Sequence, residues 1–191
     1  IACGFHNFYI STHYKAEMIQ DYFGDGEQWG VSIHYVHEDK PLGTGGALGL
    51  LPKDLPDLPI IMMNGDILTK VDFTKILNYH IKNGGIATIA TREYLLKVPY
   101  GVINANNNSV TSIIEKPVQK FFINAGIYVL SSDVIKMING TDYLDMPQFL
   151  GSQIKLNQQI NSFPIHEYWI DIGHTIEFDR ANQEIKDLFN K

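Results

Sequence analysis

Two aspartates, Asp66 and Asp171, each follow a short apolar run that predicts a strand. Asp66 lies in "IIMMNGDIL" and Asp171 in "YWIDIG". Because a buried unpaired carboxylate is costly, both are expected at the rim of a sheet, where open α/β sheets bind ligands. Mg²⁺ commonly takes one or two carboxylates together with phosphate oxygens and water, so these two side chains could share one ion. The spacing leaves open the alternative that each aspartate only closes a turn.

A glycine-rich segment, "EDKPLGTGGAL", lies between a predicted strand and a predicted helix. Its glycines, Gly43, Gly45 and Gly46, would let the backbone approach a flat base or a phosphate closely. The segment matches neither a Walker loop nor G-x-G-x-x-G. A plain glycine turn is the alternative interpretation.

A third candidate is "IIEKP", which ends a predicted strand with Glu115 and Lys116. In a crevice, Lys116 would offer charge to a phosphate, and Glu115 would accept hydrogen bonds from sugar hydroxyls. Gly101 in "PYGVI" and Asn124 in "INAGIYVL" lie beside strands where a polyol could dock. The alternative is that Glu115 and Lys116 form a solvated surface pair.

The composition excludes several classes of protein. The chain has 191 residues, a net charge of −6 and 45% hydrophobic residues, which indicates one globular domain without a broad nucleic-acid-binding surface. No apolar run approaches the roughly 18 residues of a membrane span. The single cysteine, Cys3, excludes an internal disulfide and favours the cytoplasm. The histidines lack H-x-x-x-H spacing, and no Ser/His/Asp nucleophile arrangement is evident.

The order of predicted elements indicates the class of fold. In the first half, strand-like and helix-like segments alternate, which favours a mostly parallel sheet with helices on both faces. In the second half, two strands joined by an Asn-rich turn precede a further strand, two helices, two short strands and a terminal helix. We therefore expect a single α/β domain.

Taken in order, "PLGTGGAL", "NGD", "PYGV", "EKP", "NAGIYVL" and "WIDIG" resemble the motifs of the sugar-1-phosphate nucleotidyltransferases. That family includes mannose-1-phosphate guanylyltransferases and glucose-1-phosphate thymidylyltransferases. The resemblance runs from near residue 8 to near residue 184. It implies a Rossmann-like nucleotide-diphospho-sugar transferase fold, with a mixed, mostly parallel sheet and helices on both faces.

The resemblance also implies a role for each candidate residue. The predicted catalytic set is Asp66, Lys116 and Asp171, of which Asp66 and Asp171 would hold Mg²⁺ and Lys116 would reach a phosphate. The predicted nucleotide-binding set is Glu38, Leu42, Gly43, Thr44, Gly45, Gly46 and Asn64. The predicted sugar-binding set is Gly101, Glu115 and Asn124. The implied reaction joins a nucleoside triphosphate and a hexose 1-phosphate into a nucleotide-sugar and releases pyrophosphate.

Glu38 bears on the choice of base. Many relatives specific for thymidine or uridine carry Gln just before the glycine segment. A carboxylate only accepts hydrogen bonds and matches the two adjacent donors of guanine, N1–H and N2–H₂. GTP is therefore the expected nucleotide. The sugar could be mannose, glucose or an amino sugar.

One departure from the family pattern is large. The signature G-x-G-T-R-L-x-P loop and its downstream lysine belong before residue 1, and the sequence contains neither. We therefore expect residues 1–191 to be a domain that lacks its first strand, its triphosphate loop and most of its first helix, with Ile1 to Gly4 as a helix tail. Such a fragment would have little or no activity. A sheet edge exposed by the missing strand would favour a homo-oligomer.

Two other functions remain open at this point. A glycosyltransferase that consumes a nucleotide-sugar would need a D-x-D-type motif, and Asn64-Gly65-Asp66 supplies one aspartate. A non-catalytic regulatory subunit of the same fold would not need to keep Asp66, Lys116 and Asp171 together.

Overall fold

The computed structural model describes residues 1–173 and 175–189 of the chain. In the first half, helices and strands alternate as expected. The elements of this half are β1 (Asn7–Thr12), α1 (Ala16–Phe23), β2 (Ser32–His37), the single turn α2 (Gly43–Gly46), β3 (Ile60–Met63), β4 (Ile67–Thr69), α3 (Phe73–Asn83) and β5 (Ala87–Lys97).

The second half begins with three strands, and two helices, two short strands and a terminal helix follow. The elements are β6 (Val102–Asn106), β7 (Ser109–Ile114), β8 (Val118–Leu130), α4 (Ser132–Met137), α5 (Met146–Lys155), β9 (Ile160–Pro164), β10 (Trp169–Asp171) and α6 (Thr175–Phe189). Short 3₁₀ turns occur at Glu27–Trp29 and Ala47–Leu50.

The central sheet has four strands in the order β3-β8-β5-β9. β8 runs antiparallel to β3 and β5, whereas β5 and β9 are parallel. Three of the four strands therefore share one direction, and the reversed strand β8 lies between two of them. The mixed sheet that the resemblance implies is confirmed, and the α/β class with it.

Both faces of this sheet are covered. Side chains alternate in direction along a strand, and β8 accordingly sends Tyr128 and Leu130 into one core and Ile127 and Val129 into the other. The first core contains side chains of α4 and α5, and the second contains Ile76 of α3. Helices on both faces were expected and are confirmed.

β3 is less buried than its sequence suggests. The run "LPIIMMNGD" predicts a buried strand, but Ile60 to Met62 are half-buried and Met63 is 43% exposed. The reason is that β3 is an edge strand of the sheet. The chain then turns at residues 64–66 and forms β4, a strand that the sequence did not predict.

β1 and β2 form a separate parallel pair, with Asn7 opposite Ser32 and Thr12 opposite His37. Ahead of β1, residues 1–4 form a turn in which the Gly4 amide donates to the Ile1 carbonyl at 2.8 Å. Gly4 has a φ of 84°, the left-handed conformation of a glycine that ends a helix, and the expected helix tail stays a prediction.

A long two-stranded arm projects from the central sheet. It consists of residues 93–97 of β5 and 118–122 of β8, extended by the β6–β7 hairpin. Both of its faces carry exposed apolar side chains, which include Tyr94, Leu95, Leu96, Ile103, Val110, Ile113, Ile114, Val118, Phe121 and Phe122.

No described helix combines the length and the apolar character that crossing a membrane requires.

Candidate active site

Asp66 and Asp171 are brought together by the pairing of β4 with β10. The two strands are antiparallel, and Asp171 lies opposite Ile67, the residue after Asp66. The Ile172 amide donates to the Asp66 carbonyl at 2.8 Å, which extends the pairing past both aspartates. The short strand β4 thus explains how two residues far apart in sequence become neighbours.

The surroundings of Gly173 set an upper limit on the distance between the two carboxylates. A Cβ atom added to Gly173 would lie 3.0 Å from Oδ1 of Asp171 and 3.4 Å from Oδ2 of Asp66, so these two oxygens are within about 6.4 Å of each other. Both aspartates are exposed. Oδ1 of Asp171 accepts a hydrogen bond from the Gly173 amide at 2.9 Å, which orients that carboxylate.

This arrangement has the donor atoms that a magnesium ion uses. Mg²⁺ is bound through one or two carboxylates and keeps several water or phosphate oxygens as its other ligands. Within residues 1–173 and 175–189, no group of three or more His, Cys, Asp and Glu side chains could hold a metal ion. Asp66 and Asp171 would therefore form a two-carboxylate site that water and substrate complete.

Two asparagines lie beside the carboxylate pair and meet at Gly126. The Asn64 amide donates to the Gly126 carbonyl at 2.9 Å, and the Gly126 amide donates to Oδ1 of Asn124 at 3.0 Å. Gly126 has a φ of 69°, and a Cβ atom there would lie 2.9 Å from Nδ2 of Asn64. Only glycine permits this close approach.

The Asn124 side chain is held at both ends. Its Nδ2 donates to the hydroxyl of Tyr128 at 2.6 Å, while its Oδ1 accepts from Gly126. Tyr128 is 1% exposed. Burial raises the pKa of Tyr128, and the charge of Asp145 raises it further, against the lowering effect of the Asn124 hydrogen bond. Asn124 is thus preorganised by a neutral buried phenol.

Residues 42–46 form the glycine loop. Leu42 is 3% exposed, and Gly45 and Gly46 are buried. Glu38 fastens the start of the loop, because its carboxylate accepts hydrogen bonds from the Leu42 amide at 2.8 Å and from the Ser11 hydroxyl. Both carboxylate oxygens of Glu38, the residue predicted to face guanine, are therefore already engaged within the protein.

Glu115, Lys116 and Gly101 meet where the β6–β7 hairpin joins the arm. Oε2 of Glu115 lies 3.0 Å from the position of a Gly101 Cβ atom. Nζ of Lys116 lies 3.9 Å from Oε1 of Glu115, and both side chains are about two-thirds exposed. Lys116 has a φ of 45°, a backbone conformation that is costly for a residue other than glycine.

The predicted residues thus fall into three groups. The carboxylate pair adjoins the two asparagines. The glycine loop is fastened by Glu38, and its other hydrogen bonds run to residues 142–146. The third group lies at the base of the hairpin.

Sequence reasoning missed two glycines that shape this site, Gly126 and Gly173, and one acid, Asp145. "NAGIYVL" and "WIDIG" contain the glycines, but the need for glycine becomes evident only from the atoms that pack against each position in the fold. Asp145 directly precedes the α5 segment, and no neighbouring residue in the sequence indicates that its partner is Thr44.

A family model described as "Nucleotidyl transferase" matches residues 1–187 of the chain. The chain therefore belongs to the nucleotidyl transferase family.

Relatives within this family narrow the class. The chain is 30% identical to a mannose-1-phosphate guanyltransferase of Yarrowia lipolytica, with 93% of this chain and 50% of the relative covered. It is 29% identical to a D-glycero-alpha-D-manno-heptose 1-phosphate guanylyltransferase of Aneurinibacillus thermoaerophilus, with 93% and 77% covered. The resemblance to sugar-1-phosphate nucleotidyltransferases is thereby confirmed. The chain spans about half the length of the fungal relative.

Solved structures agree with the fold. HddC from Yersinia pseudotuberculosis superposes with a TM-score of 0.70 at 26% identity, covering 97% of this chain and 81% of HddC. HddC complexed with GMP-PN gives a TM-score of 0.71 at 27% identity, with the same coverage. A putative glucose-1-phosphate thymidylyltransferase from Bacillus anthracis gives 0.74 at 22% identity, with 97% and 78% covered, and supports the fold alone.

Proposed function

We propose that the protein transfers a nucleotidyl group from a nucleoside triphosphate to a hexose 1-phosphate, forming a nucleotide-sugar and pyrophosphate. The observation that carries this proposal is the approach of Asp66 and Asp171 to within about 6.4 Å at one end of the paired strands β4 and β10. The names of the relatives support the same reaction. Because the fungal relative is about twice as long as this chain, the activity is proposed for the whole protein.

The reaction needs no protein nucleophile. An oxygen of the sugar phosphate forms a bond to the α-phosphorus, the bond from that phosphorus to the β-phosphate oxygen breaks, and pyrophosphate leaves with the bonding electrons. Asp66 and Asp171 would hold Mg²⁺, which supplies positive charge to the phosphate oxygens when bound. Much of the acceleration would come from alignment of the two anions, for which effective molarities reach about 10⁵ M or more.

The hairpin base and Asn124 would bind the sugar phosphate. Lys116 is held to Glu115 only by an exposed ion pair at 3.9 Å, and such pairs are weak. Its ammonium is therefore free to turn towards a phosphate. Glu115 would accept hydrogen bonds from the sugar hydroxyls, and Asn124 would both accept and donate them. Gly101 would leave room for the sugar ring.

The glycine loop would take the base, and we propose GTP as the donor. The guanyl-transferring relatives and the GMP-PN complex of HddC support this choice. Glu38 already accepts two hydrogen bonds, but a carboxylate offers about four lone-pair sites. Its remaining sites could accept from guanine. Comparison of GTP and dTTP binding by Glu38→Gln and the unchanged protein tests this role.

Two further properties belong to the proposal. We propose that the protein acts in the cytoplasm, which its single cysteine favours, and that it forms a homo-oligomer. The exposed apolar side chains of the arm support self-association, because apolar patches beyond a few hundred Å² commonly mark interfaces. Light scattering after size-exclusion chromatography would measure the oligomeric state.

Turnover by residues 1–191 alone is expected to be little or none, since they contain no G-x-G-T-R-L-x-P sequence. The decisive experiment therefore measures binding. Calorimetry of the chain with GDP-mannose, with and without Mg²⁺, is expected to show magnesium-dependent binding. Asp66→Asn and Asp171→Asn should each weaken it by about tenfold or more, as loss of a metal-site group does.

Asp21→Asn provides the matched control, because Asp21 is an exposed aspartate on α1, and it should bind like the unchanged protein. Absence of magnesium-dependent binding by the unchanged protein would overturn the proposed function. So would equal binding by Asp66→Asn and the control.

A further inference from the structure

The glycine loop is hydrogen-bonded to a second segment, residues 142–146, which we call the clasp. The Leu144 amide donates to the Leu42 carbonyl, and the Gly45 amide donates to the Leu144 carbonyl, both at 2.8 Å. The two segments therefore pair through their backbones. The position of the loop depends on the clasp as well as on its own flanking residues.

The side chains of Thr44 and Asp145 join the same two segments reciprocally. Oδ1 of Asp145 accepts from the Thr44 amide at 3.2 Å and lies 3.4 Å from the Thr44 hydroxyl. The Thr44 hydroxyl oxygen accepts in turn from the Met146 amide at 2.9 Å. Each side chain thus satisfies an amide at the beginning of the other's helix, where amides lack helical partners.

The Asp145 side chain forms hydrogen bonds to the glycine loop rather than capping its own helix. It occupies the N-cap position of α5, yet its side chain makes no capping bond there. Its Oδ2 accepts from the hydroxyl of Tyr143 at 3.0 Å. Gly43 has a φ of 75°, and a Cβ atom there would lie 2.9 Å from Oδ1 of Asp145, so the glycine is what admits the carboxylate.

We propose that Asp145 is a positioning residue for nucleotide binding, which holds the glycine loop in its receptive conformation through Thr44. This inference rests on the proposed function, in which the loop receives the base. The three groups directed at the carboxylate are all donors: the Thr44 amide, the Thr44 hydroxyl and the Tyr143 hydroxyl. A carboxylate accepts from all of them with a charged acceptor, whereas an asparagine would keep the shape but offer one neutral acceptor oxygen and no charge.

The first test follows the loop without any nucleotide. In Asp145→Asn, hydrogen exchange of the Thr44 and Gly45 amides should accelerate by about tenfold, because hydrogen bonds to a charged acceptor become weaker bonds to a neutral one. Amides in the middle of α5 should exchange as before. Unaltered exchange of the loop amides would overturn the inference.

Asp142→Asn is the matched control for this measurement. Asp142 lies in the clasp, but its side chain accepts from Asn139 at 2.8 Å rather than from the loop. The control removes the same charge from the same segment, and its loop amides should exchange at the unchanged rate. Acceleration equal to that of Asp145→Asn would show a general charge effect and overturn the specific role of Asp145.

The second test separates positioning from simple support of the fold. Asp145→Asn should weaken GTP binding by about tenfold, while the affinity for mannose 1-phosphate stays unchanged, because the residues proposed to bind the sugar phosphate lie outside the loop. Equal loss for both ligands, or no loss for either, would overturn the inference. If the unchanged chain binds no GTP, the proposed function fails, and the exchange experiment still decides whether Asp145 orders the loop.

A milder variant keeps the test decisive if Asp145→Asn does not fold. Tyr143→Phe removes one exposed donor to Asp145 and leaves the Thr44 contacts intact. It should raise loop exchange and weaken GTP binding in the same direction by about two- to threefold, as befits one net hydrogen bond. An effect confined to overall stability would overturn the inference.

Discussion

Gly173 is the residue that leaves space between the two carboxylates. A side chain there would begin 3.0 Å from Oδ1 of Asp171 and 3.4 Å from Oδ2 of Asp66. A methyl group at that point would occupy the volume in which the proposed cation and its water ligands would fit. Gly173 is therefore important because it has no side chain.

We predict that Gly173→Ala weakens magnesium-dependent GDP-mannose binding by about tenfold, a loss like that caused by a disturbed metal-site neighbour. Calorimetry at several Mg²⁺ concentrations measures it. Gly65→Ala is the control, because a Cβ atom at Gly65 meets nothing within 4 Å and Gly65 adjoins Asp66 in sequence. Equal losses in the two variants would contradict the prediction.

Lys116 combines a proposed phosphate contact with an unfavourable backbone. Its φ of 45° costs a residue other than glycine roughly 1–2 kcal/mol. Glycine relieves this cost but gains unfolded-state entropy of about 0.5–1 kcal/mol. We predict that Lys116→Gly is more stable than Lys116→Ala by about 0.5–1 kcal/mol, as measured by urea unfolding.

Both Lys116 variants remove the charge, so both should lose affinity for mannose 1-phosphate to the same extent. A more stable alanine variant would show that the backbone conformation carries no cost. The comparison separates the strain at Lys116 from its charge, which a single substitution cannot do.

At the residue scale, residue type and motif order indicated the two aspartates but not their environment. Asp66 and Asp171 could be singled out because a carboxylate after an apolar run demands an explanation. Gly173 and Asp145 could not be singled out, because their roles depend on contacts with atoms of segments that are distant in sequence. Glu38 shows the converse: its type suggested a ligand contact, and the structure adds two internal hydrogen bonds.

Among the elements, β10 is the one that carries Asp171, and Trp169 fastens it. The indole Nε1 donates to the Ala125 carbonyl of β8 at 2.8 Å, and Trp169 packs against the core on that face of the sheet. The guanidinium of Arg92 lies 6.0 Å from the ring centroid. β10 is thus joined both to β4 and to the central sheet.

We predict that Trp169→Phe lowers the free energy of unfolding by about 1–3 kcal/mol, because the Ala125 carbonyl loses its donor in a buried position. Magnesium-dependent ligand binding should weaken as well, since β10 positions Asp171. Urea unfolding and calorimetry measure the two effects. Trp29→Phe, at a 39% exposed tryptophan, should change neither, and a binding loss there would contradict the assignment.

At the element scale, long periodic segments were predictable and short pairings were not. α3 was evident from its apolar spacing and its terminal glycines, and the structure adds Asp72 as its N-cap. β4 was not predicted, because a strand of three residues is too short to show a repeating pattern of apolar and polar side chains. Its existence depends on pairing with β10, a strand that the sequence predicts but whose partner no local pattern reveals.

At the scale of the whole molecule, one buried histidine couples stability to pH. His80 is 3% exposed, and its Nδ1 lies 2.9 Å from the Thr88 hydroxyl between α3 and β5. Burial lowers the pKa of His80 below its ordinary value of 6.5. As pH falls below about 6.5, the unfolded chain binds a proton that the folded protein refuses, so stability decreases until the folded-state pKa is reached.

We predict that His80 contributes a loss of stability of up to about 1.4 kcal/mol per pH unit within that window. Urea unfolding of the unchanged protein and of His80→Gln, at about pH 7.5 and pH 5.5, isolates this contribution. Only the pH-dependent difference is compared, so the starting stability of the variant does not affect the result. Identical pH dependence in the two proteins would contradict the prediction.

The general plan of the molecule was accessible from sequence because it depends on alternation of elements. Two faces covered by helices follow from that pattern. The reversal of β8 within the sheet does not, since strand direction depends on which distant strands become neighbours. The same limit applies to the site, because the division of its residues into three groups depends on contacts between segments that are distant in sequence.

The pairing of β4 with β10 also has a consequence for the order of events during protein synthesis. β4 leaves the ribosome early, whereas β10 follows only after α3, the arm, α4 and α5. Because domains are completed from the N-terminus onward, β4 must wait with an unpaired edge. An unfinished chain holds Asp66 alone, and the pair of acids exists only in molecules whose translation has passed residue 171.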